Sequence, residues 1–151
     1  IGLAWSGNPN YPMDKYRSIS FDKFDKLLQI KKFNFYKLSK TSQKSGPINP
    51  KTSSNIFDFG DKSLLEISEV IRELDLVISA DTSINHLAGI LGANSILLLN
   101  FNNDWRWFND NKNNHWYPSV KIIKQTKLNS WDEVFKNLII EVERLYKKKG
   151  Q

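Results

Sequence analysis

The chain is expected to fold as an α/β domain, a Rossmann-like parallel sheet covered by helices on both faces, in three layers. Two observations lead there. Short apolar runs with the length and branching of buried strands alternate along the chain with segments whose apolar residues recur at helical spacing. Such alternation gives parallel strands joined by crossover helices. The second observation is the stretch LDLVISADTSINHLAGILG, residues 74–92, where the apolar run 76–79 meets Asp81, Thr82 and Ser83 before Ile84, Leu87, Ala88 and Leu91 fall on one helical face. This is strand, tight turn, helix. Unpaired N–H groups of the helix's first turn, with the positive end of its dipole, would then face whatever lies above the turn. Such a junction is suited to an anion, most often a phosphate.

Taken in order, IGLAW forms the first strand, and Gly7, Pro9 and Pro12 end it in a loop, 6–19. Ser20 caps a helix that presents Phe21, Phe24, Leu27 and Leu28. Residues 33–38 make the second strand, the polar segment 39–55 a loop, and 56–59 a brief third strand. Ser63 with Glu66 has the form of a capping box ahead of Ile67, Val70, Ile71 and Leu74. After the central strand and helix, Gly92 closes the helix and 95–99 is a fully apolar strand. An aromatic loop occupies 100–118, 120–123 is the last strand, and Ser130 with Glu133 caps a final helix. Loops 6–19, 39–55, 80–83 and 100–118 all leave carboxyl ends of strands, the edge at which such sheets bind ligands.

Length and composition set the bounds. The 151 residues suffice for one domain with a proper core and are too few for two ordinary ones. Without cysteine there is neither a disulfide framework nor a thiolate metal site, and with only two histidines a zinc centre is not expected. Apolar runs of four or five residues are too short to span a bilayer, so no transmembrane segment is expected and a cytoplasmic location is. The net charge of +6 suits an anionic partner. Its lysines are scattered, however, apart from Lys147, Lys148 and Lys149 at a helix end, where cations offset the dipole. No nucleic-acid motif accompanies the charge, so no specific nucleic acid is expected.

The candidate binding residues come from two of these loops. In the turn, a phosphate would be held by backbone N–H groups, the Thr82 or Ser83 hydroxyl and His86, four residues after Thr82; the competing reading is an ordinary N-cap by Asp81 or Ser83, with His86 covering a neighbouring loop. The first loop supplies Ser6, Gly7 and Asn8, then Lys15 and Arg17. Gly7 would let backbone approach a ligand, and Arg17 would bind phosphate bidentately; the competing reading is a Gly7 that merely serves a turn and a solvated Arg17. Neither a G-x-G-x-x-G fingerprint nor a P-loop is present, which argues against nicotinamide chemistry and ATP hydrolysis. The rings of the aromatic loop, Trp105, Trp107, Phe108, Trp116 and Tyr117, could pin it to the domain, stack on a sugar or base, or dock a second domain.

The motifs WSGNP, YRSI, FYKLS, LDLVISADTSINHLAGILG, DWRW and WYPSVKIIKQ, in that order, resemble the carboxyl-terminal domain of bacterial glycosyltransferases of the heptosyltransferase-like family nine group, above all the branch that follows tetratricopeptide repeats. The resemblance implies the C-terminal half of a GT-B fold, 1–151 being a single nucleotide-sugar-binding domain without its acceptor-binding half. It implies an inverting, metal-independent transfer from a nucleoside-diphosphate sugar to a glycan, lipid-linked or protein acceptor, with no cofactor, in the cytoplasm or at the inner face of the membrane. By the same likeness Asp81, Thr82, Ser83 and His86 contact the donor diphosphate, together with Arg17. The general base would come from the other half, so no catalytic residue is assigned here. The chain departs from the family pattern at Ser83, where glycine is usual, and at Leu38-Ser39, where Leu-Gln is common. The alternative expectation is a non-catalytic assembly domain that keeps the fold without donor binding.

Overall fold

A computed structural model describes residues 1–39, 55–58, 60–107 and 114–149. Six strands, β1 (Gly2–Ala4), β2 (Phe35–Lys37), β3 (Ile56–Phe57), β4 (Val77–Ala80), β5 (Ser95–Leu99) and β6 (Val120–Lys124), form one sheet. All pairings are parallel and the order is β3-β2-β1-β4-β5-β6. The chain thus builds outward from β1 in one direction, then crosses back to build outward in the other. The reversal falls between β1 and β4, paired through Gly2 with Val77 and Ala4 with Ser79. In doubly wound sheets, ligands bind in the crevice at that switch point.

Alternation along each strand feeds two cores. Leu3, Trp5, Phe35, Ile78, Ile96 and Leu98 face a layer built by the 3-10 turn Phe21–Phe24, helix α2 (Asp25–Leu28) and the long α5 (Asp132–Lys149). Trp5, Phe21 and Phe24 cluster there, and Phe24 meets Phe135 edge-on at 4.8 Å. On the opposite face Ala4, Val77 and Leu38 pack with Ile67 and Ile71 of α3 (Leu64–Glu73) and Ile84 and Ala88 of α4 (Ser83–Ile90). The expected three-layer α/β domain is therefore what forms.

Local signals behave unevenly. Ser63 and Glu66 make a complete capping box at α3. Gly92 adopts φ +67° after α4; its N–H donates to the Gly89 carbonyl and that of Ala93 to Ala88, a Schellman closure. Ser20 does not cap its helix by side chain; its hydroxyl bonds Asp22 instead. Nor does the expected Ser130–Glu133 box form, because α5 starts at Asp132 and the Glu133 carboxylate accepts from the Thr126 hydroxyl at 2.5 Å. Loop 6–19 contains a helical turn that the sequence did not signal, α1 (Asp14–Arg17). The greater part of loop 39–55, together with Phe59 and Phe108, lies outside the described residues.

A charge cluster built on one buried carboxylate ties α5 to the edge of the sheet. Glu141, whose side chain is only 8% exposed, accepts from Arg144 at 2.6 and 3.0 Å and pairs with Lys121 of β6 at 2.7 Å. Hydrogen bonding from Arg144, helped by Lys121, holds its carboxyl down at about 2. Because the folded-state pKa lies below the ordinary 4.5, this stabilisation is complete above pH 4.5 and is lost as pH falls from there towards 2. Glu141→Gln should therefore melt below the parent at pH 6, with the gap closing as pH falls through 4.5 towards 2. Melting curves across that range check it, and a gap that is constant with pH would refute it.

Candidate functional site

The carboxyl ends of β1 and β4 bring together two elements distant in sequence. After β4 the chain turns through Asp81 and Thr82 into α4. Thr82, in extended backbone, is the N-cap residue, but no side chain caps the helix, so neither Asp81 nor Ser83 serves as the ordinary cap that the sequence left open. The Ser79 hydroxyl gives its one proton to the Ala80 carbonyl at 2.7 Å, so in the 3.1 Å contact with Ser79 it is Thr82 that donates. That engages the Thr82 proton. The Asn85 and His86 N–H groups donate to the Thr82 carbonyl at 3.1 and 3.5 Å, which leaves the N–H groups of Ser83 and Ile84 and the exposed hydroxyl of Ser83 as the donors at the start of α4.

His86 is fixed on three sides. Its ring stacks on Trp107 at 5.1 Å and 22°, its Nδ1 lies 3.1 Å from the Tyr117 hydroxyl, and its Nε2 is 4.0 Å from the Asp81 carboxylate. Burial holds the imidazole below its ordinary pKa although Asp81 pulls the other way. Asp81 is itself buried and shifted upward by that burial, against the opposing influence of Trp107, His86 and Arg17. At this edge Asp81 is a partner of His86. Tyr117 reaches the site across Gly89, where an added Cβ would stand 2.4 Å from its ring. The aromatic loop thus divides: Trp107 and Tyr117 pack on Leu97, Leu99 and Val120 and cover His86, whereas Trp105 and Trp116 are 68% and 54% exposed.

From the β1 side, Ser6 and Gly7 are buried and follow the strand directly. The Gly7 N–H donates to Ser18 Oγ at 3.0 Å and the Ile19 N–H to the Trp5 carbonyl at 2.8 Å, folding the loop back on itself. Arg17 is half-buried over Gly7, close enough for its charge to act on both Asp81 and His86. Asn8 is not brought in; it is exposed and its Oδ1 accepts from the Asn10 N–H at 3.0 Å to build a turn. Lys15 is likewise spent elsewhere, 4.8 Å above the Tyr16 ring.

Asn85 was passed over in the sequence. It is fully enclosed in the first turn of α4, and neither amide atom has a hydrogen-bond partner among the described residues. Its signal was a polar residue on the apolar face between Ile84 and Ala88, where packing alone would favour an aliphatic side chain. Among the described residues no group of three or more His, Cys, Asp or Glu could hold a metal ion, and no helix is long and apolar enough to cross a membrane. Comparison with protein-family models, curated proteins and solved structures gives no match.

Proposed function

We propose that this domain is the donor-binding half of an inverting, metal-independent glycosyltransferase of GT-B type, with the diphosphate of a nucleoside-diphosphate sugar lying across the β1–β4 crevice. One observation carries the reading: at the topological switch point an uncapped helix N-terminus and a guanidinium from the opposite loop act on the same small region. Each favours an anion. When the glycosidic C–O bond to the diphosphate breaks, negative charge grows on the leaving oxygens. Fixed N–H dipoles and Arg17 stabilise that charge. The acceptor, a glycan, a lipid-linked sugar or a protein, would be deprotonated by a base from the acceptor-binding half of the parent protein.

The test is calorimetric. Thr82→Ala combined with Ser83→Ala removes the Ser83 donor and the bond that holds Thr82 in place, and should weaken nucleoside diphosphate binding about tenfold or more, one to two charge-assisted hydrogen bonds in magnitude. UDP, GDP and ADP are the probes. Unchanged affinity for whichever binds, or no binding of any by the parent chain, refutes the assignment. The exposed Trp105 and Trp116 favour the second reading, an assembly domain that docks a partner through these rings, and absence of nucleotide binding would leave that one standing.

A further inference from the structure

An acidic side chain is out of place beside an anion site, yet Asp14 is buried there, 8% exposed. Its position follows from α1, whose single turn sets Asp14 and Arg17 three residues apart on one face. Arg17 Nε donates to Asp14 Oδ1 at 3.0 Å, and Ser18 Oγ donates to Asp14 Oδ2 at 2.8 Å. The same Ser18 oxygen accepts the Gly7 N–H. Both carboxylate oxygens are thus used, one on the guanidinium and one on the hydroxyl that fixes the backbone beneath it. From the other side the Tyr11 ring lies 4.7 Å from Arg17 Cζ. Gly7 completes the cradle, because a Cβ there would fall 2.3 Å from Asp14 Oδ1 and 2.6 Å from Arg17 Nη2.

We infer that Asp14 and Tyr11 are positioning residues that hold the Arg17 guanidinium in register for a diphosphate. Occupying Nε turns the flexible arginine into a fixed fork whose Nη nitrogens remain for phosphate oxygens. Ordering Arg17 before the ligand arrives removes the entropy its immobilisation would otherwise subtract from binding. This rests on the donor-binding reading above. It also predicts a sign that charge alone does not. If Asp14 were only a nearby negative charge, removing it would tighten anion binding; as a positioning residue, removing it weakens binding.

The experiment titrates inorganic pyrophosphate and UDP into the full chain by calorimetry, with melting temperatures recorded for each variant. Asp14→Ala is expected to weaken both about fivefold or more, roughly 1 kcal/mol of lost ordering, while uridine binding stays unchanged. Asp14→Asn, which keeps one of the two acceptor oxygens, should lie between the parent and Asp14→Ala. Tighter or unchanged pyrophosphate binding by Asp14→Ala overturns the inference. Should Asp14→Ala not fold, Tyr11→Ala decides: weaker binding alongside a parent-like Tyr11→Phe supports it, and unchanged binding overturns it. Arg17→Ala separates the two levels. If it leaves pyrophosphate affinity intact, the donor-site reading and this inference fall together; if it weakens binding while Asp14→Ala does not, only the positioning role falls.

Discussion

Trp107→Ala should lower the unfolding free energy by about 3–5 kcal/mol, the range for deleting a large buried aromatic side chain. Trp107 is 2% exposed and packs with Leu97, Leu99 and Val120 on one face of the sheet while its other surface stacks on His86. Tyr117, the neighbouring ring, is already held against Gly89. For a domain of this size each kcal/mol moves the melting temperature by about 2–4 °C, so a drop of about 10 °C is expected. A second readout follows from what Trp107 covers. Burial is the main reason the His86 imidazole sits below its ordinary pKa, so uncovering it should return the NMR titration midpoint upward. A stable variant with an unmoved midpoint would show that Trp107 neither anchors the loop nor shields the histidine.

That double role marks the limit of what a linear pattern carries. Trp107 and Trp105 share one short 3-10 turn and one composition, yet one is enclosed and the other is among the most exposed large side chains. Their difference comes from Gly89 and Tyr117, which meet across the fold and leave no mark in local spacing. Strands β4 and β5, by contrast, were readable almost to the residue: 95–99 is β5 as expected, and the run 76–79 is displaced by a single residue in β4. Each is an apolar, branched run buried on both faces, a property written in its own residues.

Helix starts were readable only where the cap is local and unopposed. The Ser63–Glu66 box closes because both partners lie within one turn of α3. The matching Ser130–Glu133 pattern fails because Thr126 offers Glu133 a nearer partner. Likewise α1 combines local bonds, from Arg17 and Ser18 to the Asp14 side chain, with a longer-range one, in which Ser18 accepts the Gly7 N–H. In the sequence that segment is punctuated by Gly7, Pro9 and Pro12, and every local rule reads it as irregular. The candidate site was half legible for the same reason. Its turn-and-helix part follows from periodicity, whereas the strand order that sets β1 beside β4 is fixed by crossover connections, and Asp14 and Asn85 matter through what surrounds them.

Gly7→Ala is expected to weaken nucleoside diphosphate binding by displacing the Arg17 guanidinium. The added Cβ would fall 2.3 Å from Asp14 Oδ1 and 2.6 Å from Arg17 Nη2, both distal atoms of side chains that can move, not backbone. Folding therefore loses part of an ion pair whose carboxylate is nearly buried, about 1–3 kcal/mol, and the melting temperature should fall by several degrees. What moves is the guanidinium. Displaced from Gly7, it no longer meets the anion lying over the α4 N-terminus, and the loss of a charge-assisted contact of about 1.5–3 kcal/mol lowers nucleoside diphosphate affinity about 10- to 100-fold. Calorimetry beside a melting curve reads both quantities on one preparation. Retained affinity would mean that Arg17 is not a ligand of the diphosphate. A large fall in melting temperature would instead show that the Asp14–Arg17 pair exists to hold the loop.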